Sequence, residues 1–368
     1  MAKIDRTNRN GTPRQSKFAT VLIKEWQRLG LPESNASIIL AVSGGADSAA
    51  LLLAVDELIK NGKLQVTPVV AHLNHGLRPE SKDDALWVTK LAKDLAYRST
   101  TGTRAVKESA SKRKVNLEQA ARDARYDFLA KAAGRFDSKF VLTGHTQDDQ
   151  AETVMMRLLR GSAAEGLTGS SPVRPITEGS DVQLVRPLLT WARRSETENY
   201  CRFKGIDFRA DSMNEDQSFS RVRVRKQLLP LMQSFNNRIV ETLSRTASLL
   251  GEDASALSSQ AIQLLESASI SNNNETSAPA LDVKVLANAP AAIRRRALRE
   301  WILRARGSLR RLETVHLVGV EKLLEGEHGG RVAELPGGMK VARKGGKLEL
   351  TPKKGLKKAS PAPKIRPR

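Results

Sequence analysis

Residues 37–48 read Ser-Ile-Ile-Leu-Ala-Val-Ser-Gly-Gly-Ala-Asp-Ser. The first six are an apolar run rich in Ile and Val, which predicts a buried strand. Ser43, Gly44, Gly45, Ala46, Asp47 and Ser48 follow at once. Residues 49–60 are then good helix formers that stop at Asn61-Gly62. Strand, glycine loop, helix is the layout of a phosphate-binding turn. Glycines let backbone N–H groups approach an anion, and the helix N-terminus adds the favourable end of its dipole. The loop differs from the Walker pattern, which ends in Gly-Lys-Ser/Thr, because no lysine stands here. Asp47 stands beside the phosphate position instead. A carboxylate there suits a neighbouring Mg²⁺, or a plain strand–helix turn in which Asp47 caps the helix.

Working outward, Phe18, Val21, Leu22, Trp26 and Leu29 recur at helical spacing, so residues 17–30 read as a helix ended by Gly30. Residues 65–71 read as a second strand, running into His72-Leu73-Asn74-His75-Gly76-Leu77-Arg78. A helix fits 83–95, a shorter strand 97–105, and a long helix 117–133 with Leu117, Ala121, Ala124, Phe128 and Leu129 on one face. Phe140–Thr143 is a further strand, and 144–150 opens a helix that runs to Arg160. Strands alternating with helices across short connections argue for an α/β fold, a doubly wound, Rossmann-like parallel sheet. Segments 161–180 and 209–220 read as loops. Beyond residue 232 the character changes. Residues 236–268 and 290–306 look helical, 269–278 is a polar insert, and 331–350 reads as small strands around Leu335-Pro336-Gly337-Gly338. The expected organisation is a catalytic domain over 1–232, a second, smaller helical/α+β domain over 233–352, and a basic disordered tail over 353–368.

Lys and Arg number 61 against 40 Asp and Glu, a formal net charge of +21. Such an excess attracts polyanions by Coulomb steering and counterion release. Nucleic acid leads, an anionic membrane surface comes second, and a basic surface kept for solubility is the bland reading. Cys201 is the only cysteine. One thiol excludes an internal disulfide, an iron–sulfur cluster and a Cys-rich zinc site, and it suits a reducing cytoplasm. No apolar run reaches membrane-spanning length, and residues 1–17 lack a signal-peptide apolar region. A soluble, cytoplasmic chain with no membrane partner is expected.

Three further constellations carry chemistry. His72, Asn74, His75 and Arg78 follow the second strand, where a parallel sheet places its ligand crevice, and suit proton transfer or phosphate contact. In Gly144-His145-Thr146-Gln147-Asp148-Asp149-Gln150-Ala151-Glu152-Thr153, Asp148 and Glu152 share one helix face, as do Asp149 and Thr153. Carboxylates at a strand's end suit Mg²⁺ or an ammonium group, and equally a capped helix start. Arg122 and Arg125 lie three apart on the long helix. An arginine there could neutralise charge at an attacked phosphate, or simply line a solvated face.

Ser43 to Ser48 resembles the phosphate loop of the ATP-pyrophosphatase (PP-loop) superfamily, whose members split ATP between the α and β phosphates and pass AMP to a substrate oxygen. With 72–78, 116–129, 144–169, 186–189, 211–231 and the Glu334–Gly338 stretch, the chain is similar to the tRNA(Ile)-lysidine synthetase family over most of residues 35–350. The resemblance implies a ligase. With ATP and Mg²⁺, it adenylates the C2 oxygen of the first anticodon cytidine in the isoleucine tRNA with a CAU anticodon. The ε-amino group of free L-lysine then attacks C2 and AMP leaves, forming lysidine. Ser43, Gly44, Gly45, Ala46, Asp47 and Ser48 would cradle pyrophosphate, with Asp47 near Mg²⁺ and Arg122 near the nucleotide. His145, Asp148 and Asp149 would face the adenylated base, Asp148 contacting Mg²⁺ or the amine. Arg221, Arg223, Arg225 and Lys226 would hold tRNA phosphates together with the second domain. Arg294, Arg295, Arg296 and Arg299 offer another phosphate-binding face. The family is often dimeric, so a homodimer is expected on resemblance alone. Thr146 departs from the family, which often has a second histidine there, and the tail after Lys353 has no counterpart. Other readings remain. A thiolating relative would need more cysteines than Cys201. An amidating synthetase for a small molecule would not need the basic charge. A non-catalytic RNA-binding protein would retain the fold without the chemistry.

Overall fold

The computed structural model describes residues 15–74, 76, 81–104, 117–209, 220–270, 278–326 and 330–351. The strand that opens the phosphate turn, β1 (Ser34–Ala41), lies in the middle of a sheet. It sends Ile38 and Leu40 into one core and Ile39 into another. A strand buried on both faces needs an unbroken apolar run, and residues 38–42 supply it. Its neighbours are β2 (Gln65–Asn74) and β4 (Phe140–Thr143), both parallel to it. β3 (Arg98–Thr103) extends the sheet beyond β2, and β6 (Gln183–Val185) beyond β4, again in parallel. β5 (Val173–Pro175) closes the edge antiparallel to β6, giving the order β3-β2-β1-β4-β6-β5.

Helices cover both faces. α1 (Lys17–Arg28) contributes Leu22 and Trp26, and α2 (Ala46–Lys60) contributes Leu51, Leu52, Val55 and Leu58. α3 (Ser81–Asp94) adds Val88 and Leu91 to the same core. On the opposite face α4 (Leu117–Arg135) lays Tyr126, Leu129 and Ala133 against Ile39, Val69 and Val141. α5 (Gln147–Leu159) follows β4, and α6 (Arg194–Phe203) returns Tyr200 and Cys201 to the first core. The doubly wound parallel sheet is therefore present. Two departures are instructive. The β5–β6 hairpin falls partly in 161–180, read as loop, because three-residue strands are too short to show a period. α2 begins at Ala46, since the second half of the phosphate loop is already its first turn.

The described chain divides into two compact units at Ser248/Leu249, within α7 (Ile239–Ala268), rather than at residues 232/233 where the composition shifts. The second unit carries β7 (Ser269–Ile270), β8 (Ala280–Asp282), β9 (Val332–Leu335), β10 (Met339–Lys344) and β11 (Lys347–Thr351). They form an antiparallel sheet in the order β7-β8-β11-β10-β9. Its core joins Leu265, Val341 and Leu348 to Leu298, Trp301 and Ile302 of α8 (Ala291–Arg306). Residues 353–368, His75, Arg78 and 211–219 lie outside the described residues. Among the described residues no helix is long and apolar enough to cross a membrane.

Candidate active site

β1 pairs with β2 on one side and β4 on the other, so the chain order reverses at β1. Open α/β sheets bind ligands outside the carboxyl ends of the strands at such a switch point. Ser43, Asp47, Ser48, His72, Asn74, Asp84, Arg125 and His145 line a single cleft there.

The phosphate loop closes on itself. Ser43 N–H donates to Ser48 Oγ at 3.0 Å, the two hydroxyls lie 3.1 Å apart, and Ser48 Oγ donates to the Gly45 carbonyl. Gly44 supports the turn with φ of 101°, in the left-handed region that glycine enters without penalty. Gly45, the N-cap of α2, offers no side-chain acceptor, which leaves first-turn N–H groups for an anion. Gly144 fixes the other wall. A Cβ there would stand 2.6 Å from the Asp47 carbonyl oxygen, so only glycine lets β4 run so close to the start of α2.

Asp47 is held from α6. Thr197 Oγ1 donates to Asp47 Oδ1, and Arg194 Nε lies 3.6 Å from Oδ2. Burial, reinforced by Asp149 and Asp148, still raises Asp47 to about 6, against the lowering pull of Thr197 and Arg194. His145 takes the opposite course. Burial, with Arg186, Arg125 and Arg221, lowers it to about 3 despite Asp149, so the imidazole is neutral at pH 7. Its Nδ1 lies 2.8 Å from Thr143 Oγ1. His72 is also lowered, first by burial. Its Nδ1 meets the Val42 carbonyl at 2.8 Å, and its buried Nε2 has no partner among the described residues.

Behind the loop lies a carboxylate–arginine network. Glu152, fully buried, receives Arg221 Nε at 2.7 Å and Arg225 Nε at 2.6 Å, with Arg194 Nη2 at 3.4 Å. Asp149 pairs with Arg221 Nη2 at 3.0 Å and with Arg194 at 3.5 Å. Burial pushes Asp149 up, but Arg221, His145 and Arg194 overcome it and hold the carboxyl down at about 2. Asp148 accepts from Arg193 Nε at 3.1 Å and from the Arg194 N–H at 2.8 Å.

The structure therefore brings Ser43, Asp47, Ser48 and His145 together at the cleft, with Asp149 close behind. Asp148 and Arg122 do not line the cleft. Arg221 and Arg225 are turned onto the carboxylates of α5 instead of outward to a phosphate. The cause is periodicity. In the helical segment Ser220–Arg223 and the π-helical turn Val224–Leu228, Arg221 and Arg225 share one side while Val222 and Val224 bury. Val224 packs on Ala151 and Met155 of α5, which carries the two arginines to its acids. Arg223 is left exposed. In the second unit, Arg294 and Arg295 are likewise tied to Glu321 at 3.0 and 2.6 Å.

Sequence reasoning missed Thr197, Arg193 and Arg194. A signal existed. Two arginines where a helix starts oppose its dipole, and that cost implies an acidic partner elsewhere in the chain.

A PP-loop domain family matches residues 15–232, and a TilS substrate binding domain family matches residues 281–349. The tRNA(Ile)-lysidine synthase of Salinispora arenicola is 34% identical over 321 residues, covering 87% of this chain and 92% of that one. Those of Dehalococcoides mccartyi and Geobacter sulfurreducens are 35% and 36% identical over 84% and 83% of this chain. The matches reach only 65% and 63% of those two proteins, so the chain spans less than two thirds of their length. A U34-tRNA thiolase from Methanococcus maripaludis, with its [4Fe-4S] cluster, shares the fold at a TM-score of 0.52 and 14% identity, over 68% of this chain and 88% of that one. The phosphate loop, the switch-point cleft and these matches agree: the chain belongs to the PP-loop family and, within it, to the tRNA(Ile)-lysidine synthase family.

Proposed function

We propose that the chain uses ATP to adenylate the C2 oxygen of the first anticodon cytidine of the CAU isoleucine tRNA, and then joins free lysine to C2, releasing AMP. The observation that carries this is the Ser43–Ser48 loop, closed by its own hydroxyls under an uncapped helix start and facing the cleft that His145 and Asp47 line. In the first step the base oxygen attacks the α-phosphorus and pyrophosphate departs. The amides and hydroxyls of residues 43–48 hold the charge that develops on it. In the second step the lysine ε-amine forms the C–N bond at C2, the C2–O bond to AMP breaks, and the amine gives up a proton.

A general base works best with a pKa near the operating pH. His145, at about 3, is a poor match and serves as a neutral hydrogen-bonding partner for the base. Lysine's ammonium suits the acids of α5 by sign, and it would reach Glu152 only by displacing Arg221 or Arg225. Magnesium usually takes one or two carboxylates plus substrate phosphates. Among the described residues no group of three or more His, Cys, Asp or Glu is placed to hold a metal alone. Asp47 fits an ion that arrives with the ATP phosphates, because the nearby Asp149 and Asp148 raise its pKa and favour a cation there. Asp148, already held by Arg193 and the Arg194 amide, does not fit. Bound magnesium would supply charge neutralisation at the phosphates. Arg223 and Lys226 are the proposed tRNA-phosphate contacts of their segment. The reading places the chain in the cytoplasm, and a homodimer is consistent with it.

The test is pyrophosphate release from ATP, with and without the CAU tRNA and lysine. Release that requires the tRNA, with labelled lysine entering it, supports the reading. Release without RNA would point to a small-molecule synthetase, and no release would point to a binding protein.

A further inference from the structure

The cleft does not account for a second concentration of charge, gathered around Tyr126 of α4. Arg122 and Arg174 lie over the Tyr126 ring, their guanidinium carbons 5.2 and 4.8 Å from its centroid. Arg186 hydrogen-bonds the Tyr126 hydroxyl and feels the repulsion of Arg174 and Arg122, and Arg157 feels that of Arg122. By contrast the partly buried Arg194 is matched by the carboxylates of Asp47, Asp149 and Glu152. Among the described residues none of these four forms an ion pair. Backbone carbonyls hold three of them instead. Arg157 Nη1 donates to Gly166 and Gly169 at 2.7 and 2.6 Å, Arg186 Nη1 to Ser171 at 2.6 Å, and Arg174 Nη1 to Pro175 and Ile176 at 2.8 and 3.2 Å.

Carbonyls orient a guanidinium without neutralising it, and arginine stays charged at any physiological pH. Arg186 is 2% exposed, and its buried Nε has no partner among the described residues. Burying Arg186 without a counter-charge is costly, so a fold that seats it beside three more guanidiniums, with no acid among the described residues, favours an anion there. The cluster is not sealed, since Arg122 is exposed and Arg157 and Arg174 are half-buried. It also adjoins the cleft. Arg125, on the same helix as Arg122, lines that cleft, and Arg186 and Arg125 both lower the pKa of His145.

We propose that Arg122, Arg157, Arg174 and Arg186, gathered around Tyr126, form a phosphate site separate from the Ser43–Ser48 loop. Planar guanidinium forks match phosphate oxygens two at a time, and Tyr126 keeps two of them aligned. This inference rests on the reading of the chain as an ATP-dependent enzyme acting on RNA. The phosphate would be a phosphodiester of the RNA strand beside the target base, or a phosphate of the nucleotide.

Arg174→Gln decides between these, because Arg174 is half-buried at the edge strand and bonds the adjacent Pro175 and Ile176 carbonyls and the Tyr126 side chain. Arg174→Lys serves as the charge-retaining control, and thermal melting checks the fold. An RNA phosphate gives tRNA binding about tenfold weaker, with the slope of log affinity against log salt shallower by about 0.7 to 1. The KM for ATP stays unchanged, and the lysine variant recovers part of the loss. A nucleotide phosphate gives a raised KM for ATP with tRNA affinity untouched. If Arg174→Gln melts early, phenylglyoxal labelling of the wild type replaces it, with Arg122 and Arg174 expected to be protected by tRNA or by ATP. Unchanged tRNA affinity and ATP KM in a folded variant, or no protection by either, would overturn the site. Failure of the wild type to bind any tRNA would instead strike the functional reading, with the ATP measurements still deciding the site.

Discussion

Asp47 sits in the phosphate loop at an energetic disadvantage, and Asp47→Asn should expose it. In the folded chain its pKa rises from 3.8 to about 6, because the carboxylate is desolvated and faces Asp149 and Asp148. Between those two pH values the folded state holds a proton that the unfolded state has released. Stability contributed by this group is therefore complete below pH 3.8 and is lost as pH rises through about 6. A shift of roughly two units corresponds to about 3 kcal/mol. The side chain is 23% exposed, and solvent screening reduces the expected penalty to about 1–2 kcal/mol. Asparagine keeps the acceptor for Thr197 and removes the charge. Urea melts without ATP or magnesium should show the variant more stable than wild type by about 1–2 kcal/mol at pH 7.5, with the gap closing toward pH 4. The same variant should lose tRNA-dependent pyrophosphate release by about 10²- to 10³-fold, the cost of removing a preorganised electrostatic contact. A variant less stable than wild type at pH 7.5, or a gap that ignores pH, would refute this account of the loop.

Four other perturbations bear on the site. Gly144→Ala puts a methyl 2.6 Å from the Asp47 carbonyl oxygen, and α2 must retreat; denaturation should show a loss of about 1–3 kcal/mol, alongside pyrophosphate release about 10²-fold slower. Arg225→Ala strips a 2.6 Å partner from fully buried Glu152, which keeps Arg221 and Arg194, so urea melts should register a loss of about 1–3 kcal/mol. Arg223→Ala, on the exposed side of the same segment, should change stability by less than about 0.5 kcal/mol but weaken tRNA binding and its salt dependence, measured by titration at two ionic strengths. His145→Gln should slow turnover without moving any inflection of the pH–rate profile between pH 5 and 8, because the wild-type imidazole titrates at about 3.

Legibility followed the range of each interaction. β1, the phosphate loop and α2 are contiguous, and each rests on local propensity. Ile38, Ile39 and Leu40 therefore announce a strand buried on both faces, and Gly44 and Gly45 announce the turn. The β5–β6 hairpin has three residues on each side and takes its stability from β4, a partner that no local pattern reveals. The site divides the same way. His145 and Asp47 could be named because each follows a strand end at the switch point. Thr197 and Arg194 reach Asp47 across about 150 residues of sequence, through a helix whose packing is decided by Tyr200 and Cys201.

The arginines show why charge counts mislead about where a polyanion would be held. Net charge +21 spoke for a polyanion, and the run Arg221, Arg223, Arg225 looked like its contact. Helical geometry separates the run. Val224 seats it on α5, Arg221 and Arg225 are spent on Glu152 and Asp149, and only Arg223 of the three is exposed. Around Tyr126 the logic inverts. Arg122, Arg157, Arg174 and Arg186 come from α4, α5, the β5 edge strand and the segment after β6. Among the described residues they meet with no acid to share. A guanidinium already paired to a buried carboxylate has little left for a phosphate, while one oriented only by carbonyls keeps its full charge. Polyanion contacts should therefore be sought where the fold leaves arginine charge uncompensated, not where the sequence merely concentrates it.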